Sequence, residues 1–452
     1  MAPTRRSRSS GTTLLSRVTC PNCWSRVPPE EVKWVSAHSD LLGDPLLGEN
    51  ANPRFLPTRF DVTGNAIDVK GEVCHHLACP ECHLVVPRAL VEMEPLFISI
   101  LGAPSSGKSY FLASSLWHLQ NTLKEQFAVS LLDADPEANA ILNSYKATLF
   151  QSQHPDQLAE LKKTEQEGEL YQRVNKGGST VLYPRPFVFS LQPEVSHQAG
   201  EHRRRLSRSL CLYDNAGEHF QPGADTSAHP GTRHLGLSRA LLFLYDPTLD
   251  TRFRNACKGK TQDLQMGEDS DVYNQDQILL EAARRIRGQT GLASHEKYPR
   301  PLIVVVTKYD AWYSLAGDKR LRTRWVIKPG ETTASLAVDA LQNLSDQVRS
   351  ILVKHSPEIV TTAEGLSSDV TYIPVSALGC TPELNPKTGR LAVRPSKMKP
   401  MWPQVPMLYA LHRAASGLIP ARKPSKAAAA QRASSRDGED DVTPRIMRET
   451  GS

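Results

Sequence analysis

The sequence predicts an α/β fold, in which a mostly parallel sheet is flanked by helices and preceded by a small cysteine-rich module. Two observations carry this prediction. Apolar runs of strand length each end in a polar or glycine-containing motif, as buried parallel strands do at a ligand-binding edge. Two C-P-x-C motifs stand ahead of these runs. The predicted layout is a basic disordered tail at 1–18, the cysteine-rich module at 19–94, the α/β domain at 95–420 and a disordered tail at 421–452.

The first apolar run, at 96–101, leads directly into a glycine-rich loop. The loop has the pattern G-x-x-x-x-G-K-S and consists of Gly102, Ala103, Pro104, Ser105, Ser106, Gly107, Lys108 and Ser109. Leucines at helical spacing follow it, so the loop opens a helix whose free N–H groups point at a phosphate. Lys108 can reach the β- and γ-phosphates, and the Ser109 hydroxyl can bind Mg²⁺. This segment predicts that the chain binds a nucleoside triphosphate.

The second run, at 209–214, ends in a D-x-x-G motif. Asp214 stands at the end of the run, where a carboxylate beside a phosphate-binding loop can hold Mg²⁺ through water. Gly217 lets its backbone N–H approach the γ-phosphate. The motif is common by itself, and its weight comes from its position between the other motifs.

The third and fourth runs predict the choice of base. The run at 301–306 leads to Thr307, Lys308 and Asp310, and the run at 370–375 leads to Ser376, Ala377 and Leu378. The Asp310 carboxylate can accept hydrogen bonds from the N1–H and the exocyclic amine of guanine, with the Lys308 stem along the base. Backbone N–H groups of Ser376, Ala377 and Leu378 can donate to the guanine carbonyl. Adenine presents a donor at that position, so the pattern selects guanine.

With these four motifs in this order, the chain resembles the Ras-like GTPases of the translation-factor-related class of P-loop proteins. The resemblance spans roughly 96–415 and implies the P-loop GTPase fold, GTP, Mg²⁺ and hydrolysis to GDP and phosphate. Thr307 replaces the commoner asparagine, as in Rho-type GTPases.

The residues that would position the attacking water depart from the Ras pattern. Glu218 replaces the glutamine of Ras-like proteins, and His219 follows it. Either residue could act together with Lys108, or neither acts and hydrolysis waits for a partner, so we expect a slow intrinsic rate. Thr180 is the candidate for the threonine that caps Mg²⁺, because an extended segment follows it, and a plain Gly/Ser loop is the alternative.

The N-terminal module carries a predicted zinc site. Cys20 and Cys23 form the first C-P-x-C motif, and Cys79 and Cys82 form the second. Two residues between thiolates let a tight turn place both sulfurs on one metal ion, and two such turns complete a Cys₄ zinc ribbon. Residues 24–78 form an insertion with short strands at 65–70. The alternative ligands are Cys74, His75, His76 and His83.

Disulfides are the competing explanation for these cysteines. The N-terminus shows no signal peptide, and a nucleotide-binding protein needs cytosolic nucleotide, so we expect a cytoplasmic protein that keeps its thiols reduced. We also expect that loss of a zinc ligand unfolds the N-terminal module and spares GTP binding.

Charge and composition limit the partners. The formal net charge is +6, and the two tails account for all of it, so the body is near neutral and a basic nucleic-acid face is not indicated. No apolar stretch approaches the roughly 20 residues of a membrane span. The domain is larger than a minimal GTPase domain, and we place insertions at 136–178, 248–275 and 379–400.

The zinc ribbon joined to a P-loop domain resembles bacterial GTPases of the double-GTPase group, which family context associates with conflict or signalling systems. Three hypotheses follow. The chain is a GTP-hydrolysing switch whose ribbon engages a protein effector, a GTP-dependent RNA- or ribosome-associated factor, or a GTP-binding scaffold with negligible hydrolysis.

Overall fold

A computed structural model describes residues 14–161, 171–215, 220, 232–261, 263–267, 273–318, 320–328 and 333–422. Gly217, Glu218 and His219 lie outside the described residues, as do 1–13 and 423–452 of the predicted tails. The strands are β1 Val18–Thr19, β2 Arg26–Val27, β3 Lys33–Val35, β4 Arg54–Phe55, β5 Leu77–Ala78, β6 Val85–Val86, β7 Glu94–Gly102, β8 Val129–Asp133, β9 Tyr171–Lys176, β10 Ser179–Pro184, β11 Phe187–Pro193, β12 Arg208–Asp214, β13 Ala240–Tyr245, β14 Leu302–Val306, β15 Val326–Ile327, β16 Ser335–Leu336, β17 Val370–Pro374, β18 Glu383–Leu384 and β19 Leu391–Ala392. The helices are α1 Ala89–Glu92, α2 Lys108–Phe127, α3 Ala140–Phe150, α4 Arg203–Leu206, α5 Thr251–Cys257, α6 Gln275–Thr290, α7 Tyr309–Ala316, α8 Val338–His355, α9 Pro357–Leu366 and α10 Val405–Ala414.

A seven-stranded sheet organises the molecule, in the order β17-β14-β13-β7-β12-β11-β8. The five strands from β17 to β12 are mutually parallel, and β11 runs antiparallel to both of its neighbours. The predicted α/β fold with a mostly parallel sheet is therefore confirmed. Strand β7 lies between β12 and β13, so the chain crosses from one side of β7 to the other after β12, and such a crossing point opens a crevice at the carboxyl ends of the strands.

The predicted elements around the sheet are present. The four apolar runs form β7, β12, β14 and β17, and α2 follows the glycine-rich loop. Apolar residues at helical spacing from Leu341 to Leu352 form the buried face of α8, which packs against β17 and ends at His355, two residues before the proline that begins α9. The described residues 65–70 do not form the predicted strands. They contain only isolated β-bridges, which join Phe60 to Ala66 and Ile67 to Val73.

The N-terminal module is packed directly on the sheet. Alternate residues of the central strands β7 and β12 face two different hydrophobic cores. Ile98 and Leu212 belong to the large core. A second core, which includes the module's cysteines, contains Phe97, Cys211 and Tyr213. Strands β9 and β10 contribute to this second core as well. Unfolding the module would expose that face of the sheet, and the expectation that loss of a zinc ligand spares GTP binding stays a prediction.

No helix among the described residues is long and apolar enough to cross a membrane.

Candidate functional site

The glycine-rich loop leaves β7 and opens α2, as its sequence predicts. Gly107 has a φ of +82° and stands immediately before the first residue of α2, so the loop turns into the helix at a left-handed residue. Gly102 lies against β13, where a Cβ would come within 2.8 Å of the Leu244 carbonyl oxygen. A side chain at position 102 would therefore separate β7 from its neighbour.

Lys108 is held inside this loop. Its ammonium group donates to the carbonyl oxygens of Gly102 and Ala103, at 2.9 and 2.8 Å, and its side chain is largely buried. These bonds fold the cation back over the loop, where the free N–H groups at the start of α2 also point. The loop concentrates positive charge at one place.

Asp214 ends β12 close to that cation. Its pKa is raised to about 6 by burial, and the nearby Lys108 acts in the opposite direction. Among the described residues, Asp214 Oδ1 and Ser106 Oγ are buried and have no hydrogen-bond partner. A buried polar atom without a partner is costly, so these two atoms fit a site that a ligand completes.

A cavity of about 740 Å³ connects this loop to the motifs of the third and fourth runs. Its volume is in the range of ligand-binding pockets. From the predicted site, the residues that line it are Pro104, Ser105, Ser106, Gly107, Lys108, Ser109, Thr307, Lys308, Asp310, Ser376, Ala377 and Leu378. Segments that are far apart in the sequence thus meet at the carboxyl ends of β7, β14 and β17.

Asp310 and Ser376 form one unit at the far end of the cavity. Burial raises the pKa of Asp310 to about 6, and a hydrogen bond from the Ser376 side chain acts in the opposite direction. The Ser376 backbone N–H donates to the Met401 carbonyl oxygen at 3.0 Å, so this N–H already has a hydrogen-bond partner within the protein. Thr307 ties β14 to β13, because its N–H donates to the Tyr245 carbonyl oxygen at 2.9 Å.

The sequence analysis missed a residue that fixes Lys308. Asp246 directly follows β13, is fully buried, and has Oδ2 2.5 Å from the Lys308 ammonium nitrogen. The same ammonium donates to the Thr248 hydroxyl at 2.9 Å, and Thr248 lines the cavity. The signal was available in the sequence, because an acidic residue follows the continuously apolar run of β13 as it does that of β12.

Two segments within the predicted insertions at 136–178 and 379–400 line the cavity, a position that the sequence did not reveal. They contribute Glu160 and Leu161 from the first insertion and residues 389–393, with strand β19, from the second. The Glu160 carboxylate accepts hydrogen bonds from the Asn385 side chain at 2.6 Å and the Thr388 hydroxyl at 2.5 Å. We call residues 155–161 and 383–393 the roof.

Of the described site residues, Gly102, Ala103 and Asp214 lie beside Lys108 without lining the cavity themselves, whereas Thr180 lies away from it. It lies exposed on β10, in a hairpin with β9, and its hydroxyl donates to the Asn175 side chain at 3.1 Å. It is not among the residues that line the cavity in the described part of the chain.

The four cysteines of the N-terminal module form a single cluster. Their sulfur atoms all lie within 4.8 Å of one another, with 3.8 Å between Cys20 and Cys82 and 3.7 Å between Cys23 and Cys79. A tetrahedral zinc ion with Zn–S bonds of about 2.3 Å separates its sulfurs by about 3.8 Å, so the cluster fits this ion. All four are free of disulfides.

The two C-P-x-C turns repeat each other in detail. In the first, the Asn22 N–H donates to the Cys20 sulfur at 3.4 Å, and in the second the Glu81 N–H donates to the Cys79 sulfur at 3.4 Å. Trp24 and His83 follow the turns at equivalent left-handed positions, with φ of 62° and 60°. The repetition shows that the two turns are equivalent knuckles around one cluster of sulfur atoms, which is consistent with a zinc site.

The alternative ligands lie elsewhere. The His83 ring nitrogens contact the Asp44 carboxylate at 2.8 Å and the Lys33 ammonium nitrogen at 2.8 Å. The Cys74 thiol donates to the Glu72 carbonyl oxygen at 3.7 Å. Among the described residues, the four thiols of the doubled C-P-x-C motif form the cluster that could hold a metal ion.

Comparison with known proteins gives a distant relative and no family. No protein-family model matches the chain. Over a 405-residue alignment it is 23% identical to the protein named "Putative ESX-1 scaffolding and assembly protein SaeC" of Mycolicibacterium smegmatis, and the alignment covers 81% of this chain and 92% of that protein.

Solved GTPase structures are also similar. The S. cerevisiae Ski7 GTPase-like domain bound to GTP matches with 14% identity and a TM-score of 0.28, over 74% of this chain and 52% of that one. This chain thus spans about half the length of the Ski7 structure. An S. thermophilus NFeoB mutant bound to GDP matches with 12% identity and a TM-score of 0.24, over 77% and 74% of the two chains. Similarity at these TM-scores supports no conclusion about function, and the α/β fold is assigned from the strand order of the sheet.

Proposed function

We propose that the chain binds GTP with Mg²⁺ in the 740 Å³ cavity and acts as a regulatory switch. The observation that supports this most is that one cavity joins the glycine-rich loop to Asp310 and to residues 376–378. A phosphate-binding loop alone would fit any nucleoside triphosphate. A carboxylate at the opposite end adds a requirement for a base with two adjacent donors, and guanine has them.

At the phosphate end, the loop N–H groups and Lys108 would hold the β- and γ-phosphates. The Ser109 hydroxyl would ligate Mg²⁺ directly, and the buried Asp214 carboxylate would hold it through water. When bound, the ion would neutralise charge that develops on the phosphates. Lys108 is already fixed by the Gly102 and Ala103 carbonyls, so little ordering of its side chain is needed on binding.

At the base end, the Asp310 carboxylate would accept from the guanine N1–H and exocyclic amine. Asp246 would hold the Lys308 side chain in place along the base. Because the Ser376 N–H already donates to Met401, the guanine carbonyl would be bound by the N–H groups of Ala377 and Leu378.

Hydrolysis to GDP and phosphate would be slow without a partner. Glu218 and His219 remain the candidates for positioning the attacking water, and both lie outside the described residues, as does Gly217, whose N–H would approach the γ-phosphate. We expect unassisted turnover well below one per second, as in other GTPases without an activating protein.

The four cysteines would hold one structural zinc ion. With its four thiolate ligands the ion would have no open position, so its contribution would be to stability. Metal analysis of the purified full-length protein in reducing buffer should find about one zinc per chain. Reduced thiols and a requirement for GTP are consistent with a cytoplasmic protein.

A second candidate function is a GTP-binding scaffold for protein assembly. It is favoured by the similarity to a protein whose printed name describes scaffolding and assembly. The switch and the scaffold differ in turnover: the scaffold would bind GTP and hydrolyse it negligibly, whereas the switch would release phosphate over minutes to hours. Either role uses protein partners, and the near-neutral body gives no indication of nucleic acid.

Replacing Asp310 tests the proposed base recognition. Asp310→Asn should weaken GTP binding and strengthen binding of xanthosine triphosphate, because the amide can donate to the additional xanthine oxygen. Asp346→Asn, on the exposed face of α8, makes the same chemical change away from the cavity and should alter neither affinity. Calorimetry with both nucleotides would contradict the proposal if Asp310→Asn left the preference for guanine intact.

A further inference from the structure

Asp214 lies between two residues that are both anchored in the protein interior. Tyr213 precedes it and Asn215 follows it, and the exposed fraction is 1% for Tyr213 and 2% for Asn215. Tyr213 contacts the N-terminal module, whereas Asn215 contacts strand β7.

The Tyr213 hydroxyl is bound to the first knuckle. It donates to the Pro21 carbonyl oxygen at 2.5 Å and accepts from the Trp24 indole N–H at 3.1 Å. Pro21 lies between Cys20 and Cys23, and Trp24 directly follows Cys23, so the hydroxyl contacts the backbone of the knuckle and the side chain next to it. All of these contacts lie in the second core.

Asn215 is bound to β7 and to His234. Its side-chain amide donates to the Ile100 carbonyl oxygen at 3.1 Å, and its oxygen accepts from His234 Nε2 at 2.9 Å. The His234 ring stacks on the Tyr213 ring, with centroids 4.1 Å apart and an angle of 4° between the planes. His234 Nδ1 lies 2.6 Å from the Ser99 hydroxyl, so His234 and Asn215 both contact strand β7.

Two sets of buried hydrogen bonds meet beside Asp214: one joins the first knuckle to Tyr213, and the other runs from Ser99 through His234 to Asn215. Within each set, the loss of one partner leaves another polar group unsatisfied at a cost comparable to a full hydrogen bond. The stacked rings of Tyr213 and His234 join the two sets, so a displaced Tyr213 would also disturb His234 and Asn215. A knuckle that loses its metal would release the Pro21 carbonyl and the Trp24 indole that anchor Tyr213.

We propose that Tyr213, His234 and Asn215 are positioning residues that set the Asp214 carboxylate for Mg²⁺, and that zinc at the four cysteines stabilises this setting. The proposal rests on the proposed function, since it requires Mg²⁺ and a nucleotide at the phosphate end. It extends that function by coupling the zinc centre to the nucleotide site. Coupling between two binding equilibria is reciprocal, so Mg²⁺–nucleotide should also hold zinc more tightly.

The zinc affinity of the unmodified full-length protein tests the coupling. It would be measured at equilibrium, by competition with a chromogenic zinc chelator, with and without Mg²⁺ and a non-hydrolysable GTP analogue. The analogue with Mg²⁺ should raise the apparent zinc affinity by about fivefold or more, the lower end of typical coupling. Equal zinc affinities in a protein that demonstrably binds the analogue would overturn the proposal and leave the proposed function standing.

Tyr213→Phe tests the route, because it removes the hydroxyl and keeps the stacked ring. We expect the zinc affinity of this variant to respond little to the nucleotide. The gain in GDP affinity that Mg²⁺ provides should shrink several-fold, while affinity in EDTA stays unchanged. A merely structural defect would instead lower both affinities.

Tyr372→Phe is the matched control, since Tyr372 is equally buried on β17 and its hydroxyl donates to Glu364 at 3.0 Å. The control should keep the full response of zinc affinity to nucleotide. Loss of the response in both variants would overturn the assigned route. If the wild-type protein binds no guanine nucleotide at all, the proposed function fails, and the coupling fails with it.

Discussion

The two ends of the cavity are built in different ways. The phosphate end comes almost entirely from one continuous segment, 102–109, in which a strand, a loop and a helix follow one another. The base end is assembled from Asp246 and Thr248 after β13, Lys308 and Asp310 after β14, and residues 376–378 after β17. The difference indicates that the phosphate end depends on local backbone geometry, whereas the base end depends on contacts between distant segments.

The largest expected effect comes from removing the Lys108 cation at the phosphate end of the cavity. Lys108→Ala should weaken GTP binding about 100-fold or more, because charge-assisted contacts to the phosphates are lost. Lys124→Ala, at an exposed position on the same helix, is the matched control and should bind GTP normally. Calorimetry that found normal affinity for the Lys108 variant would remove the phosphate-loop assignment.

Asp246→Asn should damage only the base end. The Lys308 ammonium would lose its carboxylate partner at 2.5 Å, and we expect guanine nucleotide affinity to fall about 10- to 100-fold. The ratio of GTP to GDP affinity, which reports the phosphate end, should stay constant. Asp250→Asn alters a carboxylate of the same loop that caps α5, so it should lower stability without changing preference for guanine. A changed GTP/GDP ratio in the Asp246 variant would show that the two ends are not separable.

A pH titration sharpens the assignment of Asp310. Its pKa is raised to about 6, so the carboxylate is ionised well above pH 6 and takes up a proton as the pH falls through this value. The protonated acid has lost an acceptor for guanine, so GDP affinity should fall by up to about tenfold per pH unit below 6. Measurement in EDTA removes Mg²⁺, and the Asp214 carboxylate, whose pKa is also raised to about 6, titrates in this range in every variant.

The phosphates of GDP titrate in the same range, so Asp310→Ala serves as the reference for their contribution. The wild-type curve should be steeper than the curve of this variant. Parallel curves between pH 5 and pH 8 would contradict an ionised Asp310 as the acceptor for guanine.

The smallest expected effect concerns the roof. Glu160→Ala removes the carboxylate that accepts from Asn385 and Thr388, and we expect bound fluorescent GDP to leave about fivefold faster. Glu125→Ala on the exposed face of α2 should release GDP at the wild-type rate. Stopped-flow displacement would measure both, and unchanged release from the Glu160 variant would show that the roof does not retain the nucleotide.

The same contrast explains what could be predicted from the sequence. The glycine-rich loop between β7 and α2 and the two C-P-x-C turns are local patterns whose geometry follows from residues a few positions apart, and the structure has both turns at these places. That they bind phosphate and zinc stays a prediction. The position of Asp246 after an apolar run could be read from the sequence, but its contact with Lys308 and the place of the roof depend on which distant segments meet, and no periodicity in the sequence reports that. The packing of the zinc-ribbon module on the sheet was missed for a similar reason, because Tyr213 and Cys211 look like ordinary alternating strand residues. The choice of Thr180 as a Mg²⁺ ligand stays a prediction, although its place on the β9–β10 hairpin gives it no support.

The most direct test of the central claim is a calorimetric titration of the unmodified protein with Mg²⁺–GTP and, separately, with Mg²⁺–ATP. A cavity with phosphate-binding and guanine-binding ends predicts one site per chain and an affinity for GTP at least about 100-fold higher than for ATP, since a site built to pair with a base's donors discriminates strongly against a base that lacks them. Equal affinities, or binding of neither nucleotide, would contradict the account.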